Sequence, residues 1–448
     1  MKINNLHQSS PLLFWTIILI SSHHPDNLVE PYRTLLARHL LQTVRSIQTI
    51  HSLLLFCLWP IPVRKQLLDS SWNYCGFALS AAIRMGLHQS DATWEYDFSQ
   101  FSAQDMEIRR RTWLGCYIVS TFLSSDLGLP NLIRPAMDLN EFSRPGPLVH
   151  SPDPLTIQFE IERNVARFSA TMSQRGGSLV KSSLILMFDR ELKILAEQVL
   201  ATGSPHLELS FLGARLSLYA FSILGETTVT IDNHMDLQVK SIWYLGFETA
   251  VRIAHLYSSL SSSPQEAPYR AFPKHSFWIL LSSGFYLLKF LAVSPQVPLA
   301  ESELARNGIR LVYSTLQTWS MHSLDEAARI ARIVSLLANA ELQGTLVEFT
   351  RVNKRPPLSI VADVMEMVGW LRARQREKEA TVEKNAQVAM ENQIDASGMM
   401  PLDPTLMLDP MMLDDSIWEG LDAWLTQEVE MGNLLHPYPE DNFGFPTE

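Results

Sequence analysis

The side chains able to do covalent or metal chemistry in this chain are few and scattered. Cys57, Cys75 and Cys116 are its three cysteines, each set in an apolar run of helical period. That setting suits buried thiols in a reducing compartment better than ligands or nucleophiles. Cys116-Tyr117 falls inside a helical run with no base nearby in sequence, so no activated thiolate is expected there. His23-His24 stands beside Pro25 without converging partners and reads as a surface loop, not a metal site. His88 follows a helix end and reads as a polar terminus or a satisfied core histidine. There is no glycine-rich phosphate loop, no G-x-S-x-G elbow, no H-E-x-x-H and no C-x-x-C. The sequence therefore assigns no catalytic residue and no metal ligand.

Arg109-Arg110-Arg111 is the remaining candidate, as a phosphate-binding patch. Such a patch needs further Lys or Arg and a local surplus of positive charge. Here Asp105 and Glu107 flank the run, and Asp105–Arg109 and Glu107–Arg111 are acid-before-base pairs one helical turn apart. The expected role is a helix rim held by ion pairs, with room for one arginine buried against a carboxylate.

The elements that must hold these residues are helical. Leu68, Trp72, Cys75, Leu79, Ala82 and Ile83 recur at the spacing of one buried helix face. Gly86 sits where that helix should stop, ahead of Leu87 and His88. A second helix opens at Ser102 with Asp105 three residues on, a capping-box start. Its expected inner face is Met106, Trp113, Leu114, Tyr117, Ile118 and Phe122, and Gly128 and Pro130 end it. Further helical runs are read at 32–59, 179–200, 207–224, 277–291, 301–319, 324–349 and 360–374. The 277–291 run is apolar almost all round and should lie in the centre of the core. Residues 11–20 imitate a signal-peptide core. The run is too short to span a bilayer, and no small-x-small cleavage site follows. A core helix is the expectation, with no membrane partner.

The last 64 residues differ from the rest. From Asn385 to Glu448 there is no Lys or Arg, and 13 residues are acidic. The whole chain carries 47 acidic against 36 basic residues, so outside this tail the balance is 34 to 36. Asp414, Asp415 and Asp422 alternate with Ile417, Trp418, Leu421, Trp424 and Leu425, and these five apolar residues fall on one helical face. Acidic–hydrophobic interleaving is the composition of an activation segment, in which acids keep apolar groups available for a coactivator groove. A C-terminal helix packed back on the domain is the plainer alternative. The expectation is an all-α protein: a helical regulatory domain over 1–380, a linker over 381–400, and a flexible acidic segment over 401–448.

One stretch carries a resemblance. Trp72-x-x-x-Gly76-x-Ala78, Ala82-Ile83-Arg84-Met85-Gly86-Leu87-His88, Glu107-x-Arg109-Arg110-Arg111-x-Trp113 and Ser124-Ser125-x-x-Gly128-x-Pro130-x-x-Ile133 stand in this order, with Asp138 beyond. Together they resemble the middle homology region of the fungal transcription factors that carry a binuclear zinc cluster. The branch resembled includes the leucine-pathway, weak-acid-resistance and secreted-protease activators. Ser120-Thr121 stand where many members have Asp-Arg, and Leu129 where Arg is common. The resemblance implies a nuclear regulator, an activator of RNA polymerase II genes, with coactivators as partners and a small-molecule effector or a homodimer compatible with it. It also implies two zinc ions held by six thiolates, which three cysteines cannot supply. Zinc, and DNA binding through it, would belong to a longer form or a partner chain. The competing class is a helical ligand-binding protein or enzyme with a motif-free apolar pocket.

Overall fold

A computed structural model describes residues 3–22, 24, 26–63, 68–89, 101–133, 153–172, 178–224, 237–261, 272–293, 297–320, 325–346, 360, 363–364, 366–377 and 381. Every regular element among them is a helix. In chain order these are α1 (Ile3–Ser9), α2 (Pro11–Ser21), α3 (Asp26–Leu40), α4 (Ile47–Leu58), α5 (Ser71–Arg84), α6 (Ala103–Leu127) and α7 (Pro154–Met172). After them come α8 (Ser178–Ala201), α9 (Pro205–Leu224), α10 (Leu237–Ser261), α11 (Lys274–Val293), α12 (Leu299–Trp319) and α13 (Glu326–Leu342). A further helix, α14, covers residues 366–377.

Two hydrophobic cores organise the helices. The first gathers Leu12, Tyr32, Leu53, Phe56, Leu79 and Trp113 with their neighbours from α2–α6. The second gathers residues of α7–α13 and continues to Val364, Met367 and Val368. α7 is a shared wall: Phe159 and Ala166 face the first core, while Ile161, Val165 and Phe168 face the second. At 3.6 residues per turn a helix can serve two cores in this way only if it is apolar on two faces.

α11 occupies the centre of the second core. Leu280, Leu281, Phe285, Tyr286, Leu287 and Phe290 are all fully buried, and the helix packs against α9, α10, α12 and α13. By length and apolarity α11 could cross a bilayer, yet most of it is enclosed by its neighbours. The all-round apolar pattern read from the sequence is that of a central helix. α11 meets α10 closely at Gly246. The Tyr286 hydroxyl donates to the Trp243 carbonyl at 3.2 Å, and a Cβ at Gly246 would overlap that hydroxyl. Gly246→Ala should therefore push Tyr286 off its rotamer and cost about 1–3 kcal/mol, the usual range for overpacking. A urea unfolding midpoint equal to that of the wild type would show that α10 and α11 do not meet at this residue.

The structure corrects three expectations. Residues 32–59 form two helices, not one. The chain turns over 41–46, and Ser46 is extended before α4 begins. The turn lets α3 and α4 both lay their apolar faces on α2. Leu68 and Ile83 are not on the inner face: they are 60% and 45% exposed, and Trp72 is half-buried. The buried stripe of α5 is Cys75, Ala78, Leu79, Ala81 and Ala82, all small but Leu79, and it packs against α4 and α6. On α6, Met106 is likewise only half-buried, whereas Trp113, Leu114, Tyr117, Ile118 and Phe122 are inside as expected. α2 buries Leu12, Thr16 and Leu19 and leaves Trp15 and Ile17 largely outside, so it covers the first core with one face.

Candidate functional site

The motif residues build two helix ends and one rim. At the end of α5, Gly86 takes φ 69°. The Gly86 amide donates to the Ile83 carbonyl at 2.9 Å, and the Leu87 amide donates to Ala82 at 3.0 Å. This is the Schellman arrangement, and Leu87 is buried on it. Gly128 repeats the left-handed stop after α6, at φ 65°. At the start of α6 the capping box is complete. The Ser102 Oγ accepts from the Asp105 amide at 3.1 Å, and an Asp105 oxygen accepts from the Ser102 amide at 3.1 Å. The Ser102 hydroxyl, donating to the same carboxylate at 2.6 Å, and then the Ser102 amide hold the Asp105 carboxyl below its usual pKa.

Of the two expected pairs, Glu107–Arg111 forms, at 3.9 Å, and Asp105–Arg109 gives way to other partners. Asp105 is committed to the cap, and Arg109 turns to the Met85 carbonyl at 2.6 Å, with its guanidinium 4.7 Å over the Phe101 ring. It is buried against that carbonyl. Arg110 forms a two-pronged pair with Glu107, 3.0 Å on both arms. Arg111 reaches Glu107 only at 3.9 Å and holds Asp153 at 3.2 Å. Asp153 also accepts from the Thr156 hydroxyl at 2.5 Å, capping α7. The rim therefore ties α6 to the start of α7. Burial would raise the Asp153 carboxyl, but the Thr156 and Arg111 donors outweigh it and hold it low. Arg110 and Arg111 are thus tied to carboxylates and Arg109 to a carbonyl.

Sequence reasoning missed the seam between the two cores. Lys274 and His275 open α11, and both face groups of the first core. The Lys274 ammonium lies 2.9 Å from Asp69 and 3.5 Å from Glu326 at the start of α13. His275 Nδ1 lies 3.1 Å from both oxygens of Asp126 in the last turn of α6. The Phe122 ring, one turn earlier, stacks on the imidazole at 3.7 Å. Asp69 also accepts from the Ser71 hydroxyl at 2.5 Å. Beside these groups is a cavity of about 20 Å³ bordered by Cys57, Val119, Leu123 and Trp278. That volume suits one water molecule.

The electrostatics of the seam follow from burial opposed by charge. Burial favours a neutral Lys274, but Glu326 and Asp69 overcome it and raise its pKa. Burial likewise raises Asp69, and Lys274 with Ser71 reverses the sign. For the His275–Asp126 pair burial pulls the imidazole down and the carboxylate up, while each partner favours the charged form of the other. The net direction is upward for both groups, so the pair as a unit holds its last proton to higher pH than a free histidine. Glu162 on α7, accepting from Gln158 at 2.9 Å, is pushed up to about 8, by burial first and by Asp126 against the pull of His275. Raised values mean that the folded state binds more protons than the unfolded chain. Stability from His275, Asp126 and Glu162 is thus full in acid and is lost as pH rises through the folded values, whereas that from the lowered Asp69 is lost as pH falls.

Nothing at the seam is arranged for bond chemistry. Cys57 donates to the Ser71 carbonyl at 3.2 Å, and burial pushes the Cys57 and Cys116 thiols up, away from the reactive thiolate. No group of three or more His, Cys, Asp or Glu among the described residues could hold a metal. The three cysteines, one each on α4, α5 and α6, are buried free thiols that lie near one another, and three do not fit a six-thiolate cluster. His88 and Gln89 bond to each other at 2.9 Å, and the His88 ring centre lies 6.0 Å from that of Trp113. Ser120 and Thr121, the departures from the resembled pattern, have a local use. Ser120 donates to the Asn131 side-chain oxygen at 3.1 Å, and the Asn131 amide donates to Thr121 at 3.0 Å. They fasten the segment after α6. Asp414, Asp415, Ile417, Trp418, Leu421, Asp422, Trp424 and Leu425 lie outside the described residues.

Comparison with known proteins places the motif helices. Residues 4–146 match the fungal specific transcription factor domain. They comprise α1–α6, and thus the Schellman end, the capping box and the arginine rim. The chain is 27% identical over 359 residues to the putative transcription factor SEF1 of Eremothecium gossypii, covering 75% of this chain and 32% of that protein. It is 26% identical to the transcriptional regulatory protein SEF1 of Candida albicans, covering 75% of this chain and 37% of that one. The regulatory protein LEU3 of Saccharomyces cerevisiae matches over 147 residues at 26% identity, 28% of this chain and 16% of that protein. The chain therefore spans about a third of the length of the SEF1 proteins it matches. No solved structure matches. The likeness is to a domain of fungal transcription factors and to proteins named as transcription factors or regulatory proteins.

Proposed function

We propose that this chain is the regulatory and activating part of a fungal transcription activator that works in the nucleus on RNA polymerase II genes. The observation that carries it is the match of residues 4–146 to the fungal specific transcription factor domain, in a chain whose tail has activator composition. DNA would be reached through a zinc cluster outside these residues or through a partner chain. Coactivators are the proposed partners of the tail, and a second copy of this chain is a further one. The resemblance to secreted-protease activators makes protease and other metabolic genes the proposed targets. A metabolite-sized effector would not fit the seam cavity of about 20 Å³ unless the two cores moved apart.

The test uses residues 395–448 fused to an unrelated DNA-binding domain. The fusion should activate a reporter, and Trp418→Ala with Trp424→Ala should abolish most of that activity. Asp422→Asn should change it little. The apolar side chains would supply the buried contact, about 1.5–3 kcal/mol each when fully buried. The acids act through many weak long-range contributions. A silent fusion, or full activity after the double change, would favour a packed C-terminal helix.

A further inference from the structure

The two cores meet through a charge arrangement that neither side would adopt alone. His275 carries its charge in the first turn of α11, facing the positive end of that helix's dipole, and no acidic residue lies in that turn. Asp126 carries the opposite charge in the last turn of α6, at the negative end, where no basic residue lies. Each is at the unfavourable end of its own helix. What holds both is the other: two 3.1 Å contacts, with Phe122 of α6 stacked on the imidazole. A neutral imidazole loses the ion pair and leaves Asp126 buried without a cation at 3.1 Å. A hydrogen bond to an ionised partner is worth about twice a neutral one, so this loss is large for a single contact.

We propose that the His275–Asp126 contact is a proton-controlled clamp between the two cores, closed while the imidazole holds its proton and released when it does not. The other charged groups at the seam set its range. Glu162 of α7 adds negative charge as it ionises, and Lys274 of α11 adds positive charge. Lys274 is itself committed to Asp69, ahead of α5, and to Glu326 of α13. Cys57 of α4 borders the same cavity as a neutral thiol. Upward direction for both His275 and Asp126 places release on the alkaline side of free histidine. The clamp rests on the seam geometry and is independent of the transcriptional reading.

Hydrogen exchange on the full 448-residue chain tests it, read at the amides of the last turn of α6 and the first two turns of α11. After correction for intrinsic exchange, protection there should fall at least tenfold between about pH 6 and about pH 9, a window that spans the free histidine value and extends above it. Protection in the middle of α10 should stay level. His275→Gln, which cannot carry the charge, should show low protection at both pH values and no slope. Asp126→Asn should flatten the profile too, and it carries the test should the first variant not fold. A flat wild-type profile would overturn the clamp. So would a slope that survives in both variants, or one removed by Glu162→Gln alone.

Discussion

Lys289→Met is expected to lower the unfolding free energy by about 3–5 kcal/mol, the range for breaking a buried ion pair by removing one partner. Lys289 lies in the central helix α11 and Asp363 just ahead of α14; both side chains are 1% exposed and 2.8 Å apart. Without the ammonium, the Asp363 carboxylate would be left in the core with its main counter-charge gone. Its Oδ1 already finds no hydrogen-bond partner, so the surrounding groups offer little relief. Replacing both residues, as Lys289→Met with Asp363→Leu, should recover most of the loss, because apolar pairs of similar volume are often as good as a buried pair. Urea unfolding of the two single variants and the double variant, read as a cycle, gives the coupling directly. A single-variant cost under about 1 kcal/mol would mean that Asp363 reaches solvent when Lys289 is gone.

This pair shows which features were legible in the sequence and which were not. Helix stops were legible because they depend on local chemistry. Gly86, Gly128 and the Ser102–Asp105 box do what their residue types require wherever they occur. The central place of 277–291 was legible for a similar reason, since a helix apolar on all sides has few stable places other than a core. Partnerships across the chain were not. Lys289 finds Asp363 74 positions away, His275 finds Asp126 149 away, and Lys274 finds Asp69 205 away. No spacing rule reaches that far. The local pairing rule also failed where a stronger local demand competed. Asp105 was expected to hold Arg109, but the orphan amides at the start of α6 claimed it. The break at 41–46 was missed because apolar period continues on either side of it, while the change of direction is imposed by α2.

Trp113→Ala should cost about 3–5 kcal/mol, the range for deleting a large aromatic side chain from a packed core. The residue is 0% exposed on the inner face of α6, between the first core and the His88 turn that ends α5. Its loss opens a void in the first core. The indole N–H also finds no hydrogen-bond partner, which separates two accounts of the residue. If Trp113 acts by volume alone, Trp113→Phe removes an unsatisfied donor with modest loss of packing and should cost under about 1.5 kcal/mol. If the N–H is bonded through a buried water, Phe should approach the cost of Ala. Thermal and urea unfolding of both variants decides between them. A melt of Trp113→Ala identical to the wild type would put this side chain outside the core and the phase of α6 in error. The second result matters for function. Arg109, Arg110 and Arg111 are carried on the same helix, so their pairing with Met85, Glu107 and Asp153 would fall with it.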